Sequence, residues 1–287
     1  MRLLQQLGAV ALVALAGSLA VGAAGWNAPL TLILGTLTAV LALLVYAWVV
    51  RRTEHRTPVE VARSGAAGAL GRGLLIGAGL FTAVIANIAL LGGYRVGGWG
   101  SVSGAVALAG FTAAAAVTEE LLFRGVLFRI VEERIGTWWS LGLTGLLFGL
   151  VHLLNPHASL WGAIAIAVEA GGMLGAAYAA TRTLWLPIGL HFAWNFAEGG
   201  IFGTGISGTD GPRGLLDGVT SGPAVLSGGE FGPEASLYSV LGGVVVTAVF
   251  LVLARRRGHL VPRRRRTGPA GQAEQTGPAG PTGTLVP

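Results

Sequence analysis

Cysteine and lysine are both absent from this chain of 287 residues. Without cysteine the protein has no disulfide, no thiolate zinc site and no cysteine nucleophile, although the redox compartment stays undecided. Charge is scarce as well, because only 11% of the residues are charged, whereas a soluble domain carries about 25%. This shortage of charge argues against a soluble globular protein.

Apolar residues are correspondingly frequent in this chain. They make up 53% of the chain, and the mean hydropathy is +0.69. One buried core cannot account for such a value over the whole length, so many segments must be solvated by lipid. The 48 glycines show no collagen period and suit membrane helices, whose backbones approach closely at small residues. We therefore predict an all-α, polytopic membrane protein.

Eight hydrophobic runs have about the 17 to 25 residues that a helix needs to cross the hydrocarbon of a bilayer. The fourth is long enough to continue toward Glu133 as a tilted or projecting helix. The predicted spans are 3–24, 29–50, 73–92, 102–129, 138–154, 160–180, 184–202 and 236–254. The first run could also be read as a signal peptide, but its length favours a retained span.

Arginine is the basic residue between these runs, and it predicts the orientation. With the N-terminus inside, nearly all loop arginines lie on the cytoplasmic side, and only Arg95 and Arg213 lie outside. This bias predicts an N-in, C-in protein with an even number of spans, located in the plasma membrane. The sequence pI of about 10.9 would also suit a nucleic-acid partner, but the arginines punctuate apolar runs and form no basic face, so none is expected.

Two polar stretches flank the last predicted span. The 203–235 stretch is rich in Gly, Ser, Pro and Asp and is interpreted as an exposed outer loop. Residues 1–258 are assigned to the transmembrane domain and 259–287 to a disordered cytoplasmic tail, first basic and then rich in Gly and Pro. Arginines at 255–257 and 263–266 are expected to contact anionic lipid headgroups.

Ionisable residues within a span are costly and usually functional. Glu120 and Arg124 lie four residues apart in the favoured order for a helical ion pair. Glu119 is then left on an adjacent face, about 100° around the helix. An unpaired carboxylate in a low-dielectric surrounding can accept a proton near neutral pH, as a general base must.

Two further runs carry polar groups. His152 lies in the fifth run, and His191 and Asn195 in the seventh are four apart, so they share a helix face. A lone intramembrane histidine is often only a hydrogen-bonding group between helices. Polar groups on three separate runs are better explained by one convergent site, which we predict from Glu119, Glu120, Arg124, His152, His191 and Asn195.

Three motifs in this order resemble the CPBP family of CAAX proteases and bacteriocin-processing enzymes, also called the Abi family. They are Glu-Glu-x-x-x-Arg at 119–124, Phe-x-x-x-His at 148–152 and His-x-x-x-Asn at 191–195. The resemblance covers about residues 105–200 and implies an intramembrane endopeptidase. It implies that Glu119 and His152 activate water, that His191 and Asn195 stabilise the oxyanion, and that Glu120 and Arg124 orient them.

Metal dependence stays open at this point. Glu119, His152 and His191 form a zinc-compatible set, and the family is often described as metalloproteases. The chain has no H-E-x-x-H motif, and the same residues satisfy a metal-free glutamate mechanism, which is slightly favoured.

Other motifs carry less weight. The stretch 205–208 matches the G-x-S-G of rhomboid serine proteases, but glycine is so frequent that chance matches are expected. No Asp lies in a predicted span, which argues against an aspartyl protease. Glu169 and Glu198 are interpreted as packing residues or as the lining of a polar cavity.

The expected partners are membrane lipid and a peptide or protein substrate within the bilayer, with or without a prenyl group. Buried Glu and His also serve as proton relays, so a proton-coupled transporter is an alternative. A non-catalytic immunity or scaffold protein of the same fold is another. The sequence leaves the oligomeric state undecided.

Overall fold

The structure, a computed structural model, describes residues 1–263. The greater part of the predicted tail, 264–287, lies outside the described residues. The α-helices, in chain order, are α1 (Arg2–Ala23), α2 (Ala28–Glu54), α3 (Ala66–Leu90), α4 (Val102–Glu120), α5 (Arg129–Val151), α6 (Leu160–Ile166), α7 (Gly172–Thr181), α8 (Trp185–Asn195), α9 (Ala224–Ser227) and α10 (Leu237–Arg256). Three π-helical segments join some of them: π1 (Leu121–Phe128), π2 (Ala167–Gly171) and π3 (Phe196–Ile201).

These helices confirm the prediction of a helical polytopic membrane protein. Within the described residues, six continuous helices are long and apolar enough to cross a membrane, and one of them, Val102–Leu154, has 53 residues. Gly136 interrupts that helix with φ 80° and ψ 169°, a conformation that glycine adopts without strain. The interruption separates the fourth predicted span from the fifth, and α8 with π3 corresponds to the seventh.

Close helix contacts place the two central helices, α4 and α8. A Cβ atom added to Gly35 of α2 would lie 2.0 Å from the carbonyl oxygen of Gly110 in α4. One added to Gly77 of α3 would lie 2.3 Å from the carbonyl oxygen of Leu190 in α8. Larger residues at either position would push the backbones apart, as expected where membrane helices meet at small residues.

One end of the bundle contains Arg2, Arg129 and Arg182 and is here called the arginine end. Arg2 and Arg129 pair with Glu54, and Arg182 pairs with Glu132 and donates to the carbonyl of His259. The start of the chain and the segment after α10 therefore lie at the same end of the bundle. That arrangement requires the even number of crossings predicted from the arginines, while the assignment of this end to the cytoplasm stays a prediction.

The first residues of the predicted tail also lie at the arginine end. The backbone N–H of Val261 donates to the Thr137 hydroxyl over 2.8 Å, and the N–H of Thr137 donates to the carbonyl of Val261 over 3.0 Å. Gly136 packs against the backbone of residues 261–263, which passes beside its Cα. Residues 259–263 thus continue the folded domain up to the limit of the described chain.

The opposite end carries a small antiparallel sheet of β1 (Tyr94–Trp99) and β2 (Leu216–Thr220). Tyr94 pairs with Thr220 and Trp99 with Leu216. Here the interpretation of 203–235 as an exposed loop is wrong in part. Phe231, Glu234 and Ala235 are at most 2% exposed, because this segment folds inward over the ends of α5 and α8.

Candidate active site

Glu120 and Arg124 form the ion pair that their spacing predicted. Nη1 of Arg124 lies 2.7 Å from Oε1 of Glu120, and both side chains are almost completely buried. The guanidinium also donates to the carbonyl of Ala170 over 3.0 Å and lies 4.6 Å above the ring of Phe148. Three kinds of contact therefore hold this cation in a place where an unpaired charge would be very costly.

His191 joins this pair to the second glutamate. Its Nδ1–H donates to Oε1 of Glu120 over 3.1 Å, and its Nε2 lies 3.8 Å from Oε2 of Glu119. The ring is held edge-on by Phe148 at 6.1 Å between ring centres. The two motifs on α4 and α8 thus meet around one imidazole, as predicted.

His152 lies at the end of α5 and is 8% exposed. Its Nδ1–H donates to the carbonyl of Phe148 over 2.6 Å. In the neutral ring the proton on Nδ1 leaves Nε2 with a free lone pair. His152 and Glu119 line the same cavity, so a base nitrogen and a carboxylate both reach it.

Asn195 follows His191 by one helical turn on α8 and is 7% exposed. It lines the cavity that Glu119 and His152 reach, and it also lines a small cleft behind His191. All six predicted residues are therefore gathered in one region, on α4, π1, α8 and the end of α5. The helix changes from α to π geometry directly after Glu120 and directly after Asn195. Short π-helical segments are frequent at functional sites.

The cavity in front of these groups has a volume of about 830 Å³. One face of α1 forms a wall of it, through Leu7, Ala14, Ser18 and Val21, whose spacing of three, four and seven places them on one stripe. The facing wall belongs to α4 and π1. Most of the lining is apolar, so the polar groups of the site lie at the side of a hydrophobic groove.

The predicted zinc ligands, Glu119, His152 and His191, are of a chemical kind that zinc accepts. Each imidazole uses Nδ1 for a structural hydrogen bond and keeps Nε2 free, as metal-binding histidines do. Among residues 1–263, however, no three His, Asp or Glu side chains are close enough together to hold a metal ion. The donors suit zinc in kind but do not fit it in position as they stand, so no step below is assigned to a metal.

Three buried carboxyl groups lie behind the site and are not part of the site predicted from the sequence. Glu169 on π2 and Glu198 on π3 were interpreted mainly as packing residues, and Glu234 was assigned to an exposed loop. All three are at most 2% exposed. Glu198 could have been found, because it continues the helix face of His191 and Asn195. Glu234 has no sequence signal, since its position depends on how the 203–235 segment folds.

Ser207 of the G-x-S-G stretch is also buried, at 7% exposure. Its carbonyl accepts a 2.6 Å hydrogen bond from the Asn155 side chain. The residue has a φ of 50° and lines both the groove and the cleft behind His191. No hydrogen bond joins Ser207 to His191 among the described residues, so nothing in the geometry indicates a serine nucleophile.

Comparison with known proteins bears on the same part of the chain. Residues 101–197 match the family model described as type II CAAX prenyl endopeptidase Rce1-like. No curated protein and no solved structure matches the chain. The match confirms the resemblance to the CAAX proteases and implies peptidase activity at the level of the family. The matched segment, 101–197, carries all six predicted site residues.

Proposed function

We propose that this protein is an intramembrane endopeptidase that cuts a membrane-anchored peptide or protein with the six residues described above. The observation that carries the proposal is the apolar groove of about 830 Å³ that leads to Glu119, His152 and Asn195. A chain with a hydrophobic anchor can lie in this groove and bring a peptide bond to the polar groups at its side.

The first step is the activation of water. Glu119 and His152 hold a water molecule between the carboxylate and Nε2, and the carboxylate takes one proton from it. The water oxygen then forms a bond to the carbonyl carbon of the peptide. Catalysis by a positioned general base typically contributes a factor of about 10² to 10⁴ in rate.

The second step is the breakdown of the tetrahedral intermediate. In the imidazolium form, Nε2–H of His191 donates to the oxyanion, and the amide N–H of Asn195 donates from the next helical turn. The proton held by Glu119 passes to the leaving nitrogen as the carbon–nitrogen bond breaks, so a carboxylic acid and an amine are released. Loss of one oxyanion donor typically costs about 10² to 10³ in kcat.

Glu120 and Arg124 act on this chemistry through His191. The 3.1 Å hydrogen bond from Nδ1 to Glu120 fixes the direction of the imidazole. Arg124 in turn fixes Glu120 and ties it to the π2 backbone. They are positioning residues, since Glu120 contacts His191, Arg124 contacts Glu120, and neither lines the groove.

The substrate is proposed from the lining of the groove. An isoprenyl or acyl chain, or an apolar helix, has the chemistry that matches the stripe on α1. A CAAX-like protein with a lipidated C-terminus fits this description, and so does an unlipidated membrane peptide. We place the protein in the plasma membrane, with the arginine-rich loops on the cytoplasmic side.

The test uses purified protein in detergent or liposomes, with farnesylated CAAX peptides and matched unlipidated peptides as substrates. The wild type should cleave, and Glu119→Ala and His191→Ala should each lose activity by about 100-fold or more. His55→Asn is the matched control, because His55 is exposed at the end of α2 in the left-handed conformation that asparagine tolerates. It should cleave like the wild type.

Two results would reject the proposal. Proton-driven solute uptake without cleavage would favour a transporter. A folded protein that neither cleaves nor transports would favour a scaffold or immunity role.

Metal dependence is tested on the active protein. Retention of cleavage after chelation, with metal content measured on the active protein, would support the metal-free mechanism.

A further inference from the structure

Three buried carboxyl groups lie behind the site and lack the partners that buried carboxylates normally have. Glu169, Glu198 and Glu234 are 1%, 0% and 2% exposed. Both carboxyl oxygens of Glu169, Oε2 of Glu198 and Oε1 of Glu234 are fully buried without a hydrogen bond in the described structure. Such atoms are rare in folded proteins and call for a physical explanation.

Positive charge does not supply that explanation. Arg124 is the guanidinium that faces Glu169, but it is already paired with Glu120 over 2.7 Å. His152 and His191 are the titratable groups that face Glu234 from α5 and α8. On the remaining side, α10 contributes Gly243, which packs against Glu169. Three ionised carboxylates here would each cost several kcal/mol in desolvation.

Glu198 and Glu234 are neighbours in this cluster. The backbone N–H of Glu234 donates to Oε1 of Glu198 over 3.3 Å. Burial raises the pKa of Glu234, with the Ser207 hydroxyl and His152 opposing the shift. Two adjacent carboxyl groups can hydrogen-bond when they are protonated, whereas two carboxylates repel each other.

A small cleft connects Glu169 and Glu234 to the site. It has a volume of about 10 Å³ and is lined by Glu169, Glu234, His191, Trp194 and Asn195. The indole N–H of Trp194, a side chain only 3% exposed, is buried there without a partner. This volume is close to the minimum for one water molecule, and the unpartnered donor and acceptors supply the two to four hydrogen bonds that a buried water needs.

We propose that Glu169, Glu198 and Glu234 form a proton-sharing carboxyl cluster that holds one water molecule in the cleft and so positions His191 and Asn195. The three are positioning residues of the proposed peptidase, and this role rests on the proposed function. The protonated cluster itself does not, since it follows from burial, charge and the cleft alone. Shared protons let each carboxyl group donate as well as accept, and the water links Glu169 to the indole of Trp194.

The protonation can be observed directly by infrared spectroscopy of the full-length protein in lipid. A protonated carboxyl group has a carbonyl stretching band, sensitive to H/D exchange, that a carboxylate lacks. The wild type at neutral pH should show this band, and the triple variant Glu169→Gln, Glu198→Gln, Glu234→Gln should lose most of it. Glu230→Gln is the control, because Glu230 is exposed; it should leave the band unchanged.

The same variants separate a neutral cluster from a charged one. Glutamine has the shape of a protonated glutamate, so Glu198→Gln should fold with the thermal stability of the wild type, whereas Glu198→Leu should be clearly less stable. Absence of the band in the wild type would overturn the proposal. Unfolding of Glu198→Gln would overturn it as well, because a neutral isostere would then fail where a neutral acid was proposed.

The positioning role is tested by the pH profile of peptide cleavage. Ionisation of the cluster at alkaline pH should lower the activity of the wild type, and the triple Gln variant should keep its activity to a higher pH. An unchanged alkaline limb would remove the positioning role. If no cleavage is found at all, the proposed function fails while the infrared result still decides the existence of the cluster.

Discussion

Buried carboxyl groups at the arginine end of this bundle differ from those behind the site in whether they have a guanidinium partner. At the arginine end, the side chains of Glu54, Glu60 and Glu132 are each 4% exposed, and every one has a guanidinium partner. Behind the site, Glu169, Glu198 and Glu234 are also buried, and within residues 1–263 none of them forms a salt bridge. The first set ties helices together, whereas the second surrounds the predicted chemistry. Burial alone therefore does not reveal what an intramembrane carboxyl group does.

Glu120 lies between these two cases, because it is paired with Arg124 and also holds His191. Glu120→Gln should keep the shape of the side chain but weaken both contacts, and cleavage should fall by about 100-fold or more. Glu54→Gln at the arginine end should lower stability and leave the cleavage rate of the folded protein near that of the wild type. Initial rates normalised to folded protein measure both. Equal activity losses in the two variants would show that Glu120 and Glu54 do not differ in their effect on cleavage.

Arg124 offers the largest expected effect on stability. Arg124→Met removes a cation from a fully buried pair and leaves Glu120 uncompensated, which should cost about 4 kcal/mol of unfolding free energy. Arg124→Lys should not restore the loss, because lysine cannot make the contacts to Glu120, to π2 and to Phe148 together. Reversible denaturation in mixed detergent measures both. Full stability of Arg124→Met would show that the pair is not needed for folding.

Arg129 is the corresponding cation at the arginine end, with a side chain 10% exposed. It donates to Glu54 over 2.9 Å and to Gln6 over 2.8 Å. Arg129→Met should lower the free energy of unfolding by about 3 kcal/mol, with the activity of the folded protein retained. The same denaturation experiment measures it. An effect larger than that of Arg124→Met would mean that the arginine end carries more of the stability than the site does.

His157 and Asp210 form the exposed counterpart of these buried pairs, with Nε2 and Oδ1 2.8 Å apart. The Asp210 carboxylate raises the pKa of His157 above its ordinary value. The pair therefore contributes stability below the ordinary histidine pKa and loses it as the pH rises through the raised value, with a small effect because both groups are in water. NMR titration of His157 should show a lower pKa in Asp210→Asn than in the wild type. Identical titration curves would show that the contact is not populated.

Much of the site was predictable because helical spacing is a local property. Glu120 and Arg124 had to share a face, and so did His191 and Asn195, whatever the rest of the chain did. The family model matches the segment that carries these motifs. The break at Gly136 fell where the two predicted spans divide, since a glycine with positive φ needs no tertiary support.

Other features could not be predicted from local patterns. The 203–235 segment has the composition of a loop, yet it places Glu234 against Glu198. Its inward fold depends on contacts such as the Asn155 side chain with the carbonyl of Ser207, which join residues far apart in sequence. The groove along α1 is equally a product of packing, because α1 by itself shows only an apolar run.

The sequence by itself determined a membrane bundle and the pairs of polar groups that share a helix face, because hydropathy and helical periodicity act over a few turns. Only the tertiary structure decided that Glu54 and Glu132 acquired guanidinium partners from remote helices, whereas Glu169, Glu198 and Glu234 were left with unpartnered carboxyl oxygens. That choice depends on the distance between helices that are remote in sequence, and in a low dielectric a few ångströms decide whether a charge is compensated.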